Sequence, residues 1–374
     1  MILLIRDNEC FEPRVKNYIH FFKTHNISYR VIAWNRNGTA KPDDRITYYQ
    51  KQAEYGKRIA NIPCKIGWML FVMKEIWRNR KECHAIHACD IDGILPALFI
   101  GKLCRKKVIF DIFDWISSLT GKGIVYRCVE WLQNFCYKHS DAVILCEEER
   151  KEQAKTTNDN ILVIPNIPDA KTTFDEETLK KTKADLQSYD HVVSYVGVFD
   201  RDRGLENLLK VVSKCPNVKL NIAGFGVLDE LIRNYAEKFE NITCWGRVEY
   251  TVGQAIQKNS SMISAMYHLT SPLHKYAAPN KYYESLVLGV PMITTENTLV
   301  GSKVEKYDTG FVLDEQEESL FNLFQDETLQ EKIEIKQKNC GVTWNHVYKD
   351  YYEDYMTERY INLIKRVDTK NETE

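Results

Sequence analysis

Three things are missing from this 374-residue chain, and each absence removes a class of protein. No run of 18 apolar residues occurs, so no membrane-crossing helix is expected. The start, MILLIRDNECFEPRV, has only five apolar residues before charge, too few for a secretory signal, and the expected location is cytoplasmic or peripheral on the cytoplasmic face of a membrane. No C-x-x-C pair occurs among the 11 scattered cysteines, which argues against a zinc site or a disulfide framework. Cys83, Cys89, Cys104, Cys146 and Cys244 fall in apolar or strand-like segments and read as small buried hydrophobes in a reducing compartment. Net charge is nearly absent too, at -1, but it is unevenly spread: residues 1–165 carry seven more basic than acidic residues and the remainder eight more acidic than basic. A basic first half suits an anionic membrane surface or acceptor, or is a solvated imbalance without meaning.

What is present is a soluble globular composition, 44% apolar and 28% charged, over a length that suits two domains of about 150 residues. Strand and helix patterns alternate from the first residue, which predicts βα units and parallel sheets. The expected first series is strand 1–6, helix 13–25, strand 29–34, helix 66–80, strand 85–89, helix 94–104, strand 107–112, helix 125–139 and strands 142–146 and 161–164. A second series has strand 192–198, helix 205–214, strand 219–223, helix 228–239, strands 242–245 and 262–266, a short helix before a strand at 290–295, strand 310–313 and helix 318–338. The domain expectation is 1–168, a linker at 169–190, a second domain at 191–342, a crossover helix at 343–365 and a disordered tail at 366–374. Trp344, Tyr348, Tyr351 and Tyr355 form an aromatic stripe at helical spacing, read as a packing face.

Open α/β domains bind ligands at the carboxyl ends of their strands, so functional residues are sought in the loops that follow them. The stretch Pro279–Pro291, PNKYYESLVLGVP, reads as loop, helix from Lys281 to Leu288, a Gly289 stop and a buried strand. Such a helix start attracts anions; Lys281 adds a mobile cation and Glu284 a carboxylate able to hold sugar hydroxyls. Gly197-Val198-Phe199-Asp200-Arg201-Asp202-Arg203-Gly204 offers two arginines to a diphosphate, Gly224-Phe225-Gly226 is a close-approach turn, and Trp245-Gly246-Arg247 could wall a base pocket. Each alone is also compatible with an ordinary charged loop or surface helix.

In order, G-x-x-x-x-x-R-G, A-G-x-G, x-G-R-V and P-N-K-x-x-E-x-x-x-x-G-x-P, each at a strand end, resemble the C-terminal half of family 4 glycosyltransferases. Glu12-Pro13-Arg14-Val15, Ser140-Asp141-Ala142-Val143-Ile144 and Val163-Ile164-Pro165-Asn166 extend the resemblance to the first half, particularly to capsule and surface-polysaccharide members. The resemblance implies a GT-B fold: two Rossmann-like doubly wound domains facing across a cleft, with a C-terminal helix returning to the first. It implies that Glu284 holds the donor ribose, that Arg201 or Arg203 with Lys281 neutralises the diphosphate, and that Asn280 and the backbone of Ala277 and Ala278 line the sugar phosphate. Gly226, Arg247 and Tyr276 complete the expected donor-binding set. Two departures stand out. Tyr276 occupies the place of the family's first glutamate, and Arg203, with Val198 upstream, replaces its usual basic pair.

In the first domain His87-Ala88-Cys89-Asp90-Ile91-Asp92 and Phe110-Asp111-Ile112-Phe113-Asp114-Trp115 lie at strand ends. His87, Asp111 and Asp114 are candidates for binding the acceptor or orienting its hydroxyl, the alternative being carboxylates that cap helices. Phe113 stands where the family often has a histidine. Asp90-Ile91-Asp92 has the D-x-D form of metal-dependent transferases, but it recurs at Asp200-Arg201-Asp202; with cations available for the diphosphate, no metal and no other cofactor is expected. Ile66, Met69, Leu70, Met73, Ile76 and Trp77 form an apolar helical face, for core packing or for an interfacial helix that meets a lipid-linked acceptor.

The expectation is a metal-independent, retaining glycosyltransferase. It would use a nucleotide-sugar, with UDP favoured by family frequency, and a glycan or polyprenyl-diphosphate-linked acceptor; no nucleic acid partner is expected. A sugar-nucleotide epimerase or hydrolase of the same architecture, or a non-catalytic nucleotide-binding partner subunit, are the alternatives.

Overall fold

A computed structural model describes residues 1–9, 11, 13–53, 60–115, 123–168 and 173–369. Glu12 and residues 370–374 of the expected tail lie outside the described residues. The chain divides into two compact units, Met1–Asn166 with Tyr351–Glu374, and Ile167–Asp350.

The first unit contains β1 (Ile2–Arg6), α1 (Pro13–Thr24), β2 (Tyr29–Trp34), β3 (Ile46–Tyr49), α2 (Ile62–Asn79), β4 (Ala85–Cys89), α3 (Asp90–Leu103), β5 (Lys107–Asp111), α4 (Ile124–His139), β6 (Ala142–Leu145) and β7 (Ile161–Val163). These strands form one parallel sheet in the order β3-β2-β1-β4-β5-β6-β7. Their sequences are continuous apolar runs rather than alternating ones, because helices cover both faces; every residue of β1, β4 and β6 is buried. The order reverses between β1 and β4, so the loops after these strands splay apart and leave the crevice where doubly wound sheets bind ligands.

The second unit contains α5 (Glu176–Ser188), β8 (His191–Phe199), α6 (Leu205–Val212), β9 (Val218–Gly226), α7 (Asp229–Lys238), β10 (Ile242–Gly246), α8 (Tyr250–Lys258), β11 (Met262–Ala265), α9 (Asn280–Leu288), β12 (Met292–Thr295), α10 (Leu299–Tyr307), β13 (Gly310–Leu313), α11 (Glu317–Phe324) and α12 (Leu329–Thr343). Its sheet is parallel in the order β10-β9-β8-β11-β12-β13, reversing between β8 and β11. Val193, Leu209, Leu220, Ile222, Ile232 and Ile293 are among the side chains that fill its core.

Several elements depart from expectation. Residues 169–190, read as a linker, supply α5, which is capped by the Asp175 carboxylate on the Thr178 amide and packs on α8. The unplaced polar stretch before α2 holds the edge strand β3. The helix expected at 318–338 is two, α11 and α12. The 343–365 segment is not one regular α-helix: Trp344–Tyr348 and Tyr352–Tyr360 are π-helical and α13 (Ile361–Thr369) follows, taking helix into the expected tail. The aromatic stripe is shared between the units. Tyr348 meets Tyr283 edge-on at 5.3 Å in the second, while Tyr351 stacks on Tyr355 at 5.1 Å in the first.

β8 and β9 run on through the glycines read as loops, and the reason is steric. Gly197 pairs with Gly224 and Phe199 with Gly226. A Cβ on Gly224 (φ 151°) would lie 1.7 Å from the Gly197 carbonyl oxygen, and one on Gly226 (φ 154°) 2.4 Å from that of Phe199. Only glycine lets these two strand ends run side by side.

Candidate active site

In the second unit the β8–β11 reversal places Gly197, the 200–204 turn and Tyr267 beside the start of α9. Pro279 is extended at the N-cap position, so α9 begins with its first amides uncommitted to helix bonds, and Gly289 ends it in the left-handed region at φ 69°. The ammonium of Lys281 lies 4.3 Å from the centre of the Tyr195 ring, over Gly197, where an added Cβ would come within 2.8 Å of it. Burial, reinforced by Arg203, lowers the Lys281 pKa to about 8, and Glu284 acts in the opposite direction.

Glu284 is buried, three residues on and thus on the same side of the helix. Burial raises its pKa, against the effects of Lys281 and of the Tyr250 hydroxyl, which donates to Oε1 at 3.3 Å. Arg203 completes the group, its guanidinium 4.8 Å from the Tyr267 ring centre. Behind it, His274 Nε2 lies 3.4 Å from Asp202 Oδ2, His274 Nδ1 is 2.7 Å from the His268 carbonyl, and the His268 amide donates to the Asp202 carbonyl. These bonds tie the 268–274 loop to the turn that carries Arg203. Two cations and one carboxylate, partly withdrawn from water and held on aromatic faces, form a set matched to a polyanion that also bears hydroxyls.

The sequence-derived donor set divides on this geometry. Arg203, Lys281 and Glu284 come together. Arg201 does not: it is exposed and ion-paired with Glu206 at 3.0 Å, because the short 3-10 turn Arg201–Arg203, capped by Asp200, sends the two arginines different ways. Gly226 acts through backbone approach. Arg247 is exposed at the end of β10, 4.7 Å from the ring centre of Phe225. Asn280 is the first residue of α9, and Tyr276, half-buried, sits three residues before Pro279 in the turn His274–Tyr276. Tyr195, Tyr250, Tyr267 and the Asp202–His274 pair were not anticipated. A tyrosine in a strand looks like any core aromatic until a lysine is found on its face.

The acceptor-side candidates divide as well, two of them buried and one exposed. His87 and Asp111 are 0% exposed and locked in a closed network. The Asp111 carboxylate accepts from Arg14, from the Tyr18 hydroxyl at 2.9 Å and from His87 Nε2 at 3.0 Å. Because an ionised carboxylate can only accept, His87 Nε2 is the donor to Asp111, while His87 Nδ1 lies 2.7 Å from the Tyr360 hydroxyl. No acceptor reaches either residue in this arrangement; they join α1, β4, β5 and the C-terminal segment. Asp114, by contrast, is exposed after β5.

Asp90, at the β1–β4 reversal, was noted in the sequence only as part of the D-x-D triplet. Its backbone is left-handed (φ 55°), Arg6 holds Oδ2 at 2.5 Å, and Oδ1 accepts from the amides of Phe113 and Asp114 at 3.0 and 3.3 Å. The Phe113 ring has the guanidinium groups of Arg6 and Arg14 at 4.5 and 4.9 Å. Burial raises the Asp90 pKa to about 7 despite Arg6. Both carboxylates of the D-x-D triplet are paired with cations, Asp90 with Arg6 and Asp92 with Lys65 at 2.5 Å.

Two parallel α/β domains, one with a cationic cluster and a buried carboxylate at its sheet reversal, define a protein of the GT-B fold class. Residues 190–324 match the family described as "Glycosyl transferases group 1", so the second domain is a glycosyl transferases group 1 domain. A capsular polysaccharide biosynthesis glycosyltransferase of Staphylococcus aureus, CapM, is 25% identical over 236 residues; the match covers 57% of this chain and 60% of that relative's length. Among solved structures, HepE of Anabaena in complex with UDP-glucose superposes with a TM-score of 0.68 at 13% identity over 100% of both chains. A UDP-N-acetylglucosamine 2-epimerase superposes at 0.61 and 12% identity, over 90% of this chain and 89% of that one.

Proposed function

We propose that the chain is a glycosyltransferase that moves a sugar, with retention, from a nucleoside-diphosphate donor, a UDP-sugar, to a glycan or lipid-linked acceptor in surface-polysaccharide synthesis at the cytoplasmic side of a membrane. The observation that carries this reading is the grouping of Arg203, Lys281 and Glu284 at the start of α9. The leaving group departs as a diphosphate, and cations already fixed where that charge develops stabilise it without reorganisation. Lys281 and Arg203 take that role, with the uncommitted amides of α9 beside them. Glu284 accepts from ribose hydroxyls. With side-chain cations in place, no metal is required for the transfer. The relatives support the reading: CapM is named for capsular polysaccharide biosynthesis, and HepE was solved with UDP-glucose.

Calorimetric titration with UDP tests the site. Wild type is expected to bind and Glu284→Ala to bind at least about tenfold more weakly with unchanged circular dichroism, following the net worth of a charged hydrogen bond. Unchanged affinity in the variant would remove the assignment. Transfer activity is expected to survive excess chelator; a loss that magnesium or manganese restores would show a metal requirement. The epimerase alternative rests on the 2-epimerase that shares the fold, and it is separated by turnover of the donor without acceptor.

A further inference from the structure

We infer that α8 is a positioning element of the donor site: Tyr250, with Gln254 and Gln257 behind it, fixes the orientation and charge of the Glu284 carboxylate. The inference rests on the reading of Glu284 as the group that holds the donor ribose. Tyr250, Gln254 and Gln257 are spaced by four and three residues and so share one side of α8, which packs on α9. Gln254 and Gln257 are only 3 and 1% exposed. A helix that merely closes a core buries apolar residues, and a buried amide costs free energy unless it is hydrogen-bonded. Gln254 Nε2 donates to Gln257 Oε1 at 3.0 Å, while Gln257 Nε2, also buried, makes no hydrogen bond elsewhere among the described residues. The acceptor that this row faces is Glu284. The Tyr250 hydroxyl lies 3.3 Å from its Oε1, and the tyrosine and both glutamines favour the ionised carboxylate.

Such a device is needed because burial acts the other way on Glu284, raising its pKa. An ionised carboxylate accepts on both oxygens and can take two neighbouring ribose hydroxyls; a protonated one has turned one oxygen into a donor. The titratable groups facing Glu284 are Lys281 on its own helix, Tyr250 on α8 and Tyr267 after β11, with Arg203 beside Lys281 and Tyr267. Lys281 and Arg203 share their charge with the diphosphate once the donor is bound. The α8 side chains are neutral donors turned to the carboxylate, so their effect persists in the complex. Tyr250 itself is 49% exposed, so its hydroxyl is removable without opening the core.

The test is calorimetric titration of the intact chain with UDP from about pH 7 down to about pH 5. Tyr250→Phe, which deletes only the hydroxyl, is expected to bind UDP about fivefold more weakly at pH 7, with unchanged circular dichroism. Its affinity should also begin to fall at a higher pH than that of wild type, because the ionised carboxylate has lost a donor. Titration of the UDP phosphate, and of His274 behind Arg203, is common to both proteins and cancels in the ratio. Gln257→Leu, at the buried end of the row, should move the profile in the same direction. In a Glu284→Gln background, where no carboxylate remains to be held, adding Tyr250→Phe should change little further. The dideoxyribose analogue of UDP, with both ribose hydroxyls absent, should not distinguish Tyr250→Phe from wild type. Losses that add in the double variant, a Tyr250→Phe profile parallel to that of wild type, or an equal loss with the dideoxy analogue would overturn the inference and leave Tyr250 as pocket wall. Failure of the underlying reading looks different, since Glu284→Ala would then itself leave UDP affinity unchanged.

Discussion

The ammonium of Lys281 stands 4.3 Å from the centre of the Tyr195 ring, where burial, reinforced by the second cation Arg203, lowers its pKa to about 8. A lysine whose pKa is lowered gives up its proton more readily than one in water, so its charge is full at pH 7 and lost as pH rises through 8. If Lys281 holds the diphosphate, UDP affinity should fall about tenfold between pH 7 and pH 9. Lys281→Arg, charged throughout, should show a flat profile over that range, and Lys281→Met should bind weakly at every pH. Calorimetry across the range decides it, and an identical slope in Lys281→Arg would assign the effect elsewhere.

Asp111 and His87 provide the contrasting case of residues that look catalytic in sequence and are structural in space. Removing the Asp111 carboxylate leaves the Arg14 guanidinium buried without its counter-charge, the situation in which breaking a buried pair costs about 3 to 5 kcal/mol. Asp111→Ala should therefore lower the urea midpoint sharply. His87→Gln, which can still donate to the carboxylate, should lower it much less. In whatever fraction folds, UDP affinity should be that of wild type, because the network lies within the first unit. A variant of normal stability but no transfer would restore the acceptor role.

How far the sequence carried the reading follows from what is local. Long apolar strands, and glycine after the last turn of a helix, are local signals, so both sheets, α9 and the Lys281–Glu284 pair were legible. The short edge strand β3 and the polar α5 were not, since their stability comes from neighbours, β2 and α8, rather than from their own periodicity. Arg201 and Arg203 are indistinguishable in a motif and differ only through the turn capped by Asp200. His87 and Asp111 sit at strand ends as ligand-binding residues do; their burial depends on Tyr360, 273 residues away in sequence from His87.

The paired glycines of β8 and β9 predict a steric hierarchy. Gly224→Ala should be strongly destabilising, by about 3 kcal/mol or more, because its methyl would overlap the Gly197 carbonyl and the backbone has no slack to move away. It should also weaken UDP binding, since Gly197 supports the place of Lys281. Gly289→Ala meets nothing within 4 Å and bears only the left-handed strain of φ 69°, about 1 kcal/mol, with affinity intact. Urea unfolding of both variants checks the order, and equal losses would show that close approach is not what selects glycine at 224.

Asp90 is where conformation and protonation meet. Its left-handed backbone is tolerated by Asp and Asn and resisted by Ala, and its carboxylate holds the amides of Phe113 and Asp114. Asp90→Asn keeps the backbone preference and one acceptor oxygen, whereas Asp90→Ala loses both and should cost about 2 to 4 kcal/mol. The pH dependence separates the charge from the shape. Because the folded state raises the Asp90 pKa to about 7, it holds that proton more tightly than the unfolded chain does. The resulting contribution is present below the unfolded value near 4 and is lost as pH rises through 7. Wild type should thus lose stability between about pH 4 and pH 7 relative to Asp90→Asn, which carries no titrating group there. Urea midpoints of the two proteins at pH 5 and pH 8 should converge at the lower pH and part at the higher, with Asn the more stable; a constant difference would mean that Asp90 does not titrate in this window.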